Sequence, residues 1–157
     1  MLEQQRSIGL DVHREYVMIA GVDGQQQVIL EPCKVPLSRF SRWSAKHLRA
    51  TDQVALEATS NAWTIYDQLT SQVDEVKVAN VYKVKLISSS RAKTDRHDAV
   101  VLAQLLAANL LPTVWVPPVK VRELRSLVAH RQRLVRDRMA AKNPARTTAT
   151  TRTSRST

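Results

Sequence analysis

The strongest constraint on this chain's fold is a succession of short apolar runs punctuated by turns. Ser7 to Val12 (SIGLDV) is an apolar run broken by one acid, and Tyr16 to Val22 (YVMIAGV) is a second. Gln27 to Leu30 follows the turn Asp23-Gly24, and Asp-Gly between β-branched runs signals a hairpin. These runs predict three antiparallel strands, with Asp11 near the end of the first. Pro36 to Arg49 spaces Leu37, Phe40, Trp43 and Leu48 as a helix does. Gln53 to Leu56 predicts a buried strand that delivers Glu57. Thr59 and Ser60 predict caps for a helix from Asn61 to about Ser71, and Val76 to Ala79 predicts another short strand.

The order of three strands, helix, strand, helix, strand suits an α/β fold with a mixed sheet of the ribonuclease-H-like kind. Lys83 to Lys93 is a basic, serine-rich connector. Thr94 then caps a helix from Asp95 to about Leu110. After Pro117-Pro118 a long helix begins near Val119, with Val121, Leu124, Val128 and Val135 forming a narrow heptad-like seam and arginines crowding its other face. Two readings of this helix stand: a surface helix laying one stripe on the domain, or a coiled-coil arm that joins two copies. Asn143 to Thr157 is threonine, serine, arginine and alanine, with no acid after Asp137, and predicts a disordered cationic tail. The expected organisation is therefore a folded domain over 1–116, the start of a coiled-coil helix over 117–142 and a basic tail over 143–157.

Charge bears on partners. The 24 lysines and arginines outnumber the 14 acids, for a net charge of +10. Such a protein meets a polyanion, DNA or RNA, unless it is simply basic in the manner of ribosomal proteins. Lys83, Arg91, Lys93 and Arg96, with Arg122 and Arg125 of the last helix, are the candidate contacts. Cys33 is the single cysteine, so neither an internal disulfide nor a cysteine-based zinc cluster is available. The first residues lack the apolar stretch of a signal peptide, and Ala99 to Leu111 is too short to span a bilayer, so a cytoplasmic protein with no membrane partner is expected.

Four carboxylates stand out by position. Asp11 and Glu57 end buried strands, where an acid is costly unless paired or bound to a cation. Asp95 and Asp98 lie three apart on one helix and point the same way. Two strand-end acids and a helical pair can converge in an α/β sheet, and such a cluster needs a cation, Mg²⁺ or Mn²⁺ for an all-oxygen site. Each acid also has a bland reading, as a turn residue or as a complement to the helix dipole. His13 and His97 sit beside the acids, but their spacings carry no metal-ligand specificity, and both read as solvated surface histidines. No phosphate loop, nucleophile elbow or dinucleotide fingerprint occurs.

The segments IGLDVHREYVMIAGVD, VALEATSNAWTIYDQL and RAKTDRHDAVVLAQLL, in this order and spacing, resemble the DEDD transposases. These are insertion-sequence enzymes of the one-ten family, related to the Piv DNA invertase, and the likeness runs from about Ser7 to Lys142. The resemblance implies a RuvC-like domain for DNA transposition or site-specific recombination. It also implies a catalytic, metal-binding set of Asp11, Glu57, Asp95 and Asp98, and a structured noncoding RNA as partner. Ser60 stands where the family often has glycine. The family continues through a coiled coil into a domain with a nucleophilic serine, for which this sequence offers no counterpart. A truncated transposase, inactive alone and forming at most a weak homodimer through its last helix, is therefore expected. The alternatives are a non-catalytic nucleic-acid-binding remnant and a stand-alone junction nuclease.

Overall fold

In the computed structural model, residues 5–59, 61–87 and 94–142 are described. The chain divides into two units, Met1–Trp115 and Val116–Thr157. The first unit holds strands β1 (Ser7–Val12), β2 (Tyr16–Val22), β3 (Val28–Pro36), β4 (Gln53–Glu57) and β5 (Glu75–Ala79), with helices α1 (Leu37–His47), α2 (Ala62–Leu69), α3 (Val81–Ile87) and α4 (Asp95–Ala107). Helix α5 (Val119–Lys142) belongs to the second. The five strands form one sheet in the order β3-β2-β1-β4-β5. The first three pair antiparallel, while β1, β4 and β5 run parallel. This is the mixed α/β sheet with flanking helices and a long C-terminal helix that the sequence predicts, and it is consistent with a ribonuclease-H-like fold.

Alternation along the strands assigns two faces. One carries Met18 and Ala20 of β2, Gly9 of β1, and Ala55 of β4, and α4 covers it through Ala99, Leu102, Ala103, Leu105 and Leu106. Small residues make that contact close. A Cβ on Gly9 would stand 2.0 Å from the Ala99 carbonyl oxygen and 2.7 Å from the Ala103 nitrogen. Only a glycine lets α4 lie this near β1, and α4 carries Asp95 and Asp98. The alternate residues Ile8, Leu10, Val54 and Leu56, all fully buried, turn to the opposite face.

Four local expectations change. The β2–β3 hairpin closes over Asp23–Gln27, where the Asp23 side chain accepts from the Gln25 and Gln27 amides at 2.9 Å. The left-handed residue there is Gln26 (φ 64°), not Gly24, so the Asp-Gly signal works through its aspartate. Residues 81–87, read in part as connector, form α3, because Asn80 Oδ1 caps the Lys83 amide at 3.2 Å and Val84 is buried. Thr59 does not cap α2: the N-cap is Asn61, without a side-chain cap bond, and Ser60 lies outside the described residues. In α1 the buried residues are Phe40 and Ser44, whereas Trp43 is only half-buried. Thr94 caps α4 as expected, accepting from the His97 amide. No helix among the described residues is long and apolar enough to cross a membrane. The tail over 143–157 lies outside them.

Candidate metal centre

The site forms where β1 and β4 end and α4 begins. Parallel pairing of β1 with β4 runs in register from Ser7↔Gln53 to Leu10↔Leu56. Asp11 and Glu57 are the next residues on each strand, so they stand at one level and on the face that α4 covers. Asp11 is 6% exposed and Glu57 half-buried. Asp95 and Asp98 occupy the first turn of α4, both half-buried.

Asp11 and Asp95 come together through a residue that the sequence reading set aside. His13 Nε2 lies 2.9 Å from Asp11 Oδ2 and 3.5 Å from Asp95 Oδ2. Ligand atoms of Asp11, His13 and Asp95 all lie within 4.8 Å of one another, the separation one bound cation can bridge. Glu57 and Asp98 are not among these three. His13 is no solvated histidine: its ring stacks on Tyr16 at 4.4 Å between centroids, and Tyr16 donates its hydroxyl to Asp95 Oδ2 at 2.7 Å. Strand alternation holds the missed clue, since residue 13 falls on the same face as residue 11. A tight reversal, with the His13 amide donating to the Tyr16 carbonyl, then brings Tyr16 alongside.

Among the described residues, negative charge outweighs positive around Asp11. Burial pushes the Asp11 carboxyl above its ordinary range; His13 partly offsets this, while Asp98 and Asp95 add to it. Asp98 is thus near enough to act on Asp11. Asp95 is held below its usual range, first by the Tyr16 hydrogen bond and further by His13 and Lys34. Tyr16 is pushed up in turn by its bond to Asp95. Lys34 lies over the Tyr16 ring, 3.7 Å from its centroid, at the border of the site.

A family model described as a transposase, the DEDD type of the IS110 insertion sequences, matches residues 8–151. The chain belongs to this transposase family. Among curated proteins, none matches it. The family implies a divalent metal, and the residues present fit one: carboxylate oxygens and one imidazole suit a hard or borderline divalent ion, and among the described residues the buried Asp11 has a histidine to offset its charge. Of the candidate nucleic-acid contacts, Lys83 on α3 and Arg96 on the first turn of α4 are exposed, as is Arg125 on α5, while Arg122 is half-buried. Arg91 and Lys93 lie outside the described residues.

Proposed function

We propose that this transposase-family chain binds divalent metal, Mg²⁺ or Mn²⁺, at the β1–β4–α4 junction and engages DNA there for the phosphodiester chemistry of transposition. The observation that carries this reading is the convergence of buried Asp11 with His13 and Asp95. Asp11 and Asp95 are the central ligands, and Glu57 and Asp98 complete the acidic set. His13 holds Asp11 and Asp95 together from one side, and Tyr16 fixes the Asp95 carboxylate by its hydroxyl. A bound metal pair would supply activation of the attacking oxygen and stabilisation of the leaving one. The exposed cations Lys83, Arg96 and Arg125, with Arg122, Arg91 and Lys93, are proposed to hold phosphates. On the same charge argument the proposal extends to a structured RNA partner.

Mn²⁺ titration followed by calorimetry tests the metal reading. The native chain should bind, while Asp11→Asn and Glu57→Gln should each weaken binding at least about tenfold. Absence of Mn²⁺ binding by the native chain at millimolar metal overturns the assignment. Metal-dependent cleavage of branched DNA by the purified chain would favour the junction-nuclease alternative. Metal binding without any DNA processing would favour the nucleic-acid-binding remnant.

Helix α5 supports a second element of the proposal, a homodimer. It buries none of its residues, and Leu124 (61% exposed), Val128 (47%) and Val135 (44%) of its seam are open, with Leu127 and Leu134 beside them. A single helix gains little without a long partner surface, so the dimer should be weak. Sedimentation at rising concentration should show a second species that Leu124→Asp abolishes, and a strict monomer overturns the dimer.

A further inference from the structure

A second surface lies beside the metal centre, on edge strand β3 and helix α1. Lys34, Arg39, Arg42, Trp43, Lys46 and His47 line a groove of about 360 Å³, together with Cys33, Val35 and Pro36. None of the described residues that line it is an acid. The wall is built by helix periodicity: residues 39, 42, 43, 46 and 47 fall on one side of α1, while Phe40 and Ser44 turn into the core. From Arg39 to Lys46 the wall runs about 10 Å along the helix axis. Within it Trp43 and His47 stack, with centroids 4.9 Å apart and planes 22° from parallel. Trp43 is half-buried and His47 exposed, so the pair is an anchored aromatic platform with its outer ring open to solvent.

The groove is also tied to the metal centre. Lys34 lines it, yet the same side chain lies over the ring of Tyr16, whose hydroxyl donates to Asp95 at 2.7 Å. A polyanion lying along α1 would therefore reach the acidic cluster at Lys34. Cations without acids select a phosphate backbone, and a stacked aromatic pair suits unpaired bases, whose faces a duplex hides.

We infer that the β3–α1 groove holds single-stranded DNA and leads it past Lys34 toward the metal centre. DNA is the committed occupant because the chain belongs to a transposase family; the inference rests on the proposed function for the direction of the strand, while binding itself can be measured without metal. It adds a contact surface apart from Lys83, Arg96 and the arginines of α5.

Cys33, the single cysteine, lines the groove and serves as its reporter. The full chain is alkylated with and without an oligodeoxythymidine strand, in the absence of divalent metal. Binding should slow Cys33 alkylation at least about fivefold. The double variant Arg42→Glu, Lys46→Glu, at two exposed positions, should bind the strand about tenfold more weakly and remove the protection. Its salt slope should fall by about 1.4, at about 0.7 per lost phosphate contact on a single strand. Its Mn²⁺ affinity should be unchanged, which shows an intact fold and separates this inference from the metal reading. Unchanged strand affinity and unprotected Cys33 would overturn the groove. Stronger protection by a duplex or by an RNA strand of equal length would overturn the single-stranded DNA assignment. Failure of Mn²⁺ binding with protection intact would sink the metal reading and leave the groove standing.

Discussion

Asp11 and Asp52 are buried aspartates at opposite ends of the neighbouring strands β1 and β4. Asp52 is fully buried and fully answered: Arg6 Nε donates at 2.8 Å, the Arg6 terminal nitrogen at 2.6 Å and the Arg49 amide at 2.8 Å. The fork of Arg6 meets the carboxylate in the bidentate geometry that suits it. Backbone bonds from the Gln53 amide to the Arg6 carbonyl and from the Asp74 amide to the Asp52 carbonyl lace the same end together. Asp11 is nearly as buried but meets one imidazole, with two more carboxylates acting on it. The same strand pair thus closes one end with a guanidinium and leaves the other with negative charge gathered at a rim. The closed end holds β1 against β4, and the open end suits a cation.

Breaking the closed end should have the largest effect. Arg6→Ala leaves the Asp52 carboxylate buried without its counter-charge, a loss of about 3–5 kcal/mol for a buried pair. Urea unfolding measures it, and a loss under about 1 kcal/mol would erase the distinction between the two ends. Gly9→Ala comes next. Its methyl would meet α4 backbone, so the helix must shift, at about 1–3 kcal/mol for an overpacked core. Because α4 carries Asp95 and Asp98, Mn²⁺ affinity should fall with stability, whereas Arg6→Ala protein that remains folded should keep it.

At the open end the sign reverses. A carboxyl whose pKa is raised by folding contributes stability below the ordinary aspartate range and loses it as pH rises through the raised value. Asp11→Asn should therefore raise the melting temperature of the metal-free protein by a few degrees at pH 7. That gain should vanish near pH 3, and added Mn²⁺ should no longer stabilise the variant. A metal-free Asp11→Asn protein less stable than native at pH 7 would show that His13 fully compensates Asp11. Tyr16→Phe is the smallest change, removing the single hydroxyl hydrogen bond to Asp95. Asp95 has a lowered pKa, so this contribution is present above the ordinary aspartate range and lost as pH falls through the lowered value. Thermal melts of native and Tyr16→Phe protein should accordingly converge in acid.

The positions of β1, β2, β4 and β5, the mixed sheet and the Thr94 cap were legible in the sequence because they depend on local pattern: period-two burial, turn chemistry and a hydroxyl ahead of a helix. Strand β3 was legible only at its start, since Gln27 to Leu30 was read as the whole strand while pairing with β2 carries it on through Cys33 and Lys34 to Pro36. The acids at residues 11, 57, 95 and 98 were legible as candidates for the same reason, each marking the end or start of an element. Helix α3 was not, since its lysines and valines resemble a connector until Val84 is seen to be buried and Asn80 to cap Lys83. Nor was the basic wall of α1, where the apolar spacing of Leu37, Phe40 and Trp43 masked the cations on the adjoining stripe.

By itself, then, the sequence determined that Asp11 and Glu57 stand at strand ends and where α4 begins. Only the tertiary structure decided that Asp11 meets Asp95 across His13, separated by 84 residues along the chain. Sequence spacing cannot encode that distance, because it depends on how closely a helix lies on a sheet. Here the distance is set by the missing Cβ of Gly9 and the small Ala99 and Ala103 above it. The same holds for Asp11 and Asp52: alike as buried aspartates on paper, they differ because folding brings an arginine to one and more carboxylates to the other.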